Sequence, residues 1–142
     1  MRIKPYFESN DKNFNIYQGN CIDFMSHFQD NPIDMIFADP PYFLSNDGLT
    51  FKNGIIQSVN KGEWDTNDNE NSIYNFSHEW IEQSKRLLKD NGTIWISGTH
   101  HNIFTIGQVL KENNFKILNI ITWEKPNPPP NFSYRYFIHS SE

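Results

Sequence analysis

The sequence predicts an α/β chain built on a mostly parallel sheet with helices on both of its faces. Three observations carry that expectation. Short β-branched and aromatic runs alternate with helix-period segments along most of the chain. One such run, Ile33–Ala38, reads as a buried strand and is stopped by paired prolines that cannot continue a ladder. At 142 residues the chain has room for a single core.

The elements follow in order. Residues 14–19 (FNIYQG) form an aromatic and β-branched run closed by Gly19-Asn20, a strand with a turn behind it. In CIDFMSHF, Ile22, Met25 and Phe28 recur every three residues, the pattern of a short amphipathic helix. After the Ile33–Ala38 strand, residues 43–72 are polar and weakly periodic, with Asn46-Asp47-Gly48, Asn53-Gly54 and Lys61-Gly62. A loop of that length is expected to be a functional lid or disordered. In NFSHEWIEQSKRLLKDNG, Phe76, Trp80, Ser84, Leu87 and Leu88 share one helix face, and Asn91-Gly92 is the expected stop. TIWISG reads as a strand, 101–113 as a helix, and FKILNIITWEK as a further strand. Pro126, Pro128, Pro129 and Pro130 then keep the chain irregular.

Composition narrows the function classes. Twelve Lys and Arg against seventeen Asp and Glu leave a net charge of −5, which argues against a broad electrostatic nucleic-acid binder. Contact with DNA or RNA must then be local and pocket-like, or supplied by another part of the protein. The single cysteine, Cys21, excludes an intramolecular disulfide framework and any multi-thiolate zinc site. The five histidines lack carboxylate or cysteine partners at ligand spacing, so no metal is expected. No apolar run nears the ~18–20 residues of a membrane span, and the N-terminal residues hold no secretory apolar core. A cytoplasmic setting without membrane contact is the expectation.

The sharpest feature is Asp39-Pro40-Pro41-Tyr42 at the carboxyl end of the buried strand. Ligands of open α/β sheets bind just outside strand carboxyl ends. The Pro40 carbonyl belongs to a Pro–Pro bond, so its direction is pinned and no adjacent N–H competes for it. Together the Asp39 carboxylate and the Pro40 carbonyl can accept both hydrogens of an exocyclic amino group. The face of Tyr42 can stack on the ring that carries it. A plain strand-ending turn with a half-buried Tyr is the alternative.

These residues resemble the catalytic tetrapeptide of S-adenosylmethionine-dependent DNA adenine-N6 methyltransferases. The run NIYQGNCIDFM…NPIDMIFADPPYFLS is similar to the opening of the permuted β group of that family, in which the catalytic motif precedes the cofactor-binding glycines. KGEWD, WIEQSKRLLKDNGTIWISG and ITWEKPNPPPNF are similar to its following stretches, most of all in the second methylases of DpnII-type restriction–modification systems. The resemblance implies a Rossmann-like methyltransferase sheet, S-adenosylmethionine as methyl donor, and DNA as partner through a flipped adenine or a single strand. By resemblance alone the recognition sequence would be GATC.

One departure bears on activity. No Gly-x-Gly occurs among the seven glycines, although the family carries Phe-x-Gly-x-Gly after its target-recognition region. Residues 1–142 are therefore expected to be a partial, N-terminal half of the catalytic domain. A homo-oligomer of the full-length protein stays open.

The resemblance also implies cofactor contacts at Gly19, Asn20, Cys21 and Asp39, with Asn20 standing where the family usually has Asp. A Gly-Asn turn with Asn20 as N-cap of the following helix is the other reading, and the two are compatible. Trp64 in KGEWD is a candidate cover for the flipped base, or an anchor tying its loop to the core. Lys125 and Arg135 flank the proline-rich stretch and are candidates for phosphate contact, or belong to a plain surface loop. Two rival functions stay open: a catalytically incomplete remnant that keeps the fold, and amino-methylation of cytosine N4 or a glutamine amide.

Overall fold

The computed structural model describes residues 4–30, 32–43, 45, 49–52, 55–58, 62, 65–66, 70–124 and 126. Strand β1 (Phe7–Glu8) pairs antiparallel with β2 (Asn15–Ile16). Helix α1 (Cys21–Ser26) follows, then β3 (Ile33–Ala38), β4 (Leu49–Lys52) and β5 (Ile55–Ser58). Helix α2 (Glu70–Leu87) runs directly into β6 (Leu88–Ile96), and α3 (Ile103–Glu112) comes last.

The centre is a β–α–β unit. Strands β3 and β6 lie parallel with Met35–Thr93, Ile36–Ile94, Phe37–Trp95 and Ala38–Ile96 in register, and α2 makes the crossover. Side chains alternate across such a pair. Ala38, Ile94 and Ile96 point to a core formed by Trp80 and Ile81 of α2 with Ile106 and Val109 of α3. Ile22 and Met25 of α1 join the same cluster. The other face, with Met35, Phe37 and Trp95, is exposed, Phe37 by 70%.

Several expectations are corrected here. Among the described residues the helices cover one sheet face, not both, and only β3–β6 is parallel while the other two pairs are antiparallel. The 43–72 stretch is not a structureless loop, because β4 and β5 form a hairpin with Lys52 opposite Ile55 and α2 already begins at Glu70. Asn53-Gly54 stands between the two strands, an Asn-Gly hairpin signal flanked by short apolar runs. Asn91-Gly92 does not end α2 but lies in β6, where Leu88 pairs with Ile33 and Thr93 already pairs with Met35. Residues 89–92 bulge there opposite Asp34, and a Cβ on Gly92 would sit 3.0 Å from the Lys89 carbonyl oxygen. The FKILNIITWEK strand does not form across 115–123, where Ile120 is 88% exposed. β-branched residues favour a strand only when a neighbour supplies the ladder and the covering face.

Helix ends are tied by named groups. Arg86, near the end of α2, donates to the Met25 and Phe28 carbonyls at 2.7 and 2.8 Å and pairs with Asp30. That ties α2 to the last turn of α1 and to Phe28 just beyond it. At the other end of α3, Asn114 takes φ 59° and the Phe115 N–H returns to the Leu110 carbonyl, a left-handed cap. No described helix is long and apolar enough to cross a membrane.

Candidate active site

The β3 strand delivers Asp39-Pro40-Pro41-Tyr42 at its carboxyl end, as the sequence predicts. Parallel pairing then places the residue after Ile96, Ser97, beside Asp39. Ser97 N–H donates to the Ala38 carbonyl at 3.0 Å, and its hydroxyl donates to Asp39 Oδ1. The Tyr42 hydroxyl donates to the same oxygen at 2.8 Å. Two hydroxyls thus orient an exposed carboxylate by charge-assisted hydrogen bonds. The phenol of Tyr42 has a polar duty beyond its ring face.

The rest of the tetrapeptide is held from below by the turn into α3. Asn102 is buried, accepts the Thr99 N–H on Oδ1 at 2.9 Å, and donates from Nδ2 to the Pro41 carbonyl at 3.2 Å. The two proline carbonyls are thereby distinguished, with Pro41 bonded to the protein scaffold. Gly98 makes this approach possible, since a Cβ there would lie 2.9 Å from Ile103 Cδ1 and 3.0 Å from Asn102 Oδ1.

Past Tyr42, Phe43 adopts φ 56°, which costs a non-glycine residue about 1–2 kcal/mol. Its N–H donates to Asp65 Oδ1 at 2.9 Å, and the Ser45 hydroxyl donates to Asp65 Oδ2 at 2.7 Å. The Phe43 ring meets Phe76 of α2 edge-on, 6.0 Å between centroids. Among the described residues, buried polar side chains include Ser45, Asp65, Thr99 and Asn102, all engaged around this one turn.

Gly19, Asn20 and Cys21 follow β2, which pairs with β1 and, among the described residues, does not join the β3–β6 sheet. Asn20 is the N-cap of α1, its Oδ1 accepting the N–H groups of Ile22 at 2.9 Å and Asp23 at 3.3 Å. Cys21 is exposed, and a Cβ on Gly19 would meet nothing within 4 Å. The capping reading of Asn20 is observed. Trp64, Lys125 and Arg135 lie outside the described residues. Among the described residues, no three His, Cys, Asp or Glu side chains cluster to hold a metal.

Sequence reasoning overlooked Ser97, Asn102 and Asp65. Ser97 was recoverable from parallel register alone, because the strand ending at Ile96 must end beside the one ending at Ala38. Asn102 carried a helix-start signal just ahead of the Ile103, Ile106 periodicity. Asp65 carries no signal of its own in the sequence, standing beside Trp64 in a polar stretch.

The family model described as DNA methylase matches residues 33–142, beginning at the first residue of β3. The chain belongs to the DNA methylase family. The methylase chain is 90% identical over its whole length to Type II methyltransferase M2.MboI of Moraxella bovis, and 47% identical to M2.DpnII of Streptococcus pneumoniae. It is 38% identical over 128 residues, 89% of its length, to Type II methyltransferase M.HinfI of Haemophilus influenzae, covering 36% of that protein. It spans about half, 52%, of the length of the first two. The matched span holds the tetrapeptide, Asp65, Ser97 and Asn102, while Gly19, Asn20 and Cys21 precede it.

Proposed function

We propose that the methylase chain carries the acceptor side of methyl transfer from S-adenosylmethionine to adenine N6 in DNA, within a site-specific modification methylase of a restriction–modification system. The observation that carries this reading is Asp39, an exposed carboxylate at a strand end, oriented by two hydroxyls beside a rigid proline carbonyl. The relatives' names, all Type II methyltransferases, support the same class.

The chemistry follows from the acceptor. The adenine N6 lone pair is delocalised into the ring, so the amino nitrogen is a poor nucleophile. Asp39 and the Pro40 carbonyl accept its two hydrogens, which favours a pyramidal nitrogen with a directed lone pair. Tyr42 covers the ring while its hydroxyl steadies Asp39. Holding the acceptor in one pose is worth several kcal/mol of barrier. An adenine inside a duplex cannot reach this turn, so the base is flipped or the substrate is single-stranded.

S-Adenosylmethionine, when bound, supplies the methyl group on a sulfonium that is already a good leaving group. The open surface over Gly19, the exposed Cys21 and the Asn20 amide suit a nucleoside edge. Trp64, Lys125 and Arg135 are the proposed DNA contacts, by stacking and by phosphate bonding. Residues 1–142 form the catalytic-motif part of a Rossmann-like methyltransferase domain in this reading, the observed β3–α2–β6 unit being its parallel element.

The test uses the intact methyltransferase. Asp39→Ala abolishes transfer of labelled methyl to DNA in single-turnover assays, while filter binding of labelled S-adenosylmethionine stays close to wild type. Wild-type turnover in that variant ends the assignment of Asp39 as the amino-group acceptor.

A further inference from the structure

Asp65 is fully buried and has no part in the chemistry described above. It lies 20 residues beyond Ser45 in sequence, with the β4–β5 hairpin between them. The two meet by a double contact: the Ser45 N–H donates to the Asp65 carbonyl at 3.1 Å, and the Ser45 hydroxyl to its carboxylate. The other carboxylate oxygen takes the Phe43 N–H, and the Asp65 N–H returns to the Gly62 carbonyl at 3.1 Å. A buried carboxylate is costly unless hydrogen-bonded, and here both oxygens are used on the residues just past the tetrapeptide. Tyr42 therefore sits between two fixed points. Pro41 on one side is held through its carbonyl by Asn102, and Phe43 on the other is held through its N–H by Asp65. The left-handed φ of Phe43 sets the direction of the chain on leaving Tyr42, and the Asp65 bond is what keeps a bulky residue there.

We propose that Asp65 is a positioning residue for methyl transfer, acting through Phe43 to aim Tyr42 at Asp39 and at the target base. This rests on the methyltransferase reading of the tetrapeptide. A small displacement of a positioned group is enough to be seen in rate.

The experiment is a double-mutant cycle in the intact methyltransferase with Asp65→Ala, Tyr42→Ala and the pair, read as single-turnover methylation rate and S-adenosylmethionine affinity. Asp65→Ala is expected to slow methylation about 10–100-fold with cofactor affinity unchanged. In the Tyr42→Ala background the same substitution should cost nothing further, because its effect passes through Tyr42. Losses that multiply in the double variant overturn the proposal and leave Asp65 a purely structural residue. Wild-type rates for Tyr42→Ala alone overturn both this proposal and the methyltransferase reading on which it stands. If Asp65→Ala does not fold, Asp65→Asn completes the same cycle, since it keeps the volume and loses the charge.

Discussion

Asp39-Pro40-Pro41-Tyr42 and Gly19-Asn20-Cys21 both stand where a strand ends, yet the fold holds them by different means. The tetrapeptide is gripped by side chains about 60 residues downstream, Ser97 and Asn102, and Phe43 just after it is held by Asp65, 22 residues on. The glycine turn is organised locally, by an Asn20 cap reaching two and three residues ahead. Long-range clamps exist only when the whole β3–α2–β6–α3 unit is folded, whereas a cap forms with its helix. The tetrapeptide is therefore coupled to global stability, and the glycine turn far less so.

Substitutions at three positions test this contrast, taken in order of decreasing effect. Asn102→Ala leaves the Pro41 carbonyl and the Thr99 N–H without their buried partner, and is expected to cost about 2–3 kcal/mol in denaturant unfolding. A cost no greater than that of an exposed cap would mean that the tetrapeptide is not held by this clamp.

Asn20→Ala removes the α1 cap and is expected to cost about 1 kcal/mol, and Asn20→Ser should recover most of that loss. In the intact methyltransferase the Ser variant also separates two roles of Asn20. Recovered stability with weakened S-adenosylmethionine binding supports amide contact with the cofactor, and recovery of both leaves capping as its whole duty.

The smallest effect lies away from both turns, where the Tyr74 hydroxyl of α2 donates to Glu112 of α3 at 2.7 Å. That bond, followed by the one from Gln108, holds the Glu112 carboxyl below its ordinary value of 4.5. A lowered carboxyl contributes stability that is present above its unfolded pKa and lost as pH falls through the folded value. Tyr74→Phe should thus be slightly less stable than wild type near neutral pH, with the difference vanishing in acid. Both groups are exposed, so salt and water keep the effect small. Methylation by the intact protein should not change, and a change would extend the site to α2.

Local features were legible in the residues alone. Strand Ile33–Ala38, the amphipathic face of α2, the helix near 101–113 and the rigid proline pair follow from short-range sterics and hydrophobic period. The chemistry of the tetrapeptide was legible for the same reason, because its carboxylate, carbonyl and ring are adjacent in the chain. Which extended segment found a partner was settled by long-range packing. Ile33–Ala38 pairs with the segment ending at Ile96, while 115–123, equally rich in isoleucine, forms no strand. The same packing decided that the described helices gather on one sheet face, and that Asp65, Ser97 and Asn102 converge on a single turn. Pairing and burial are properties of distant residues brought together. No window of sequence short enough to read by propensity contains both partners.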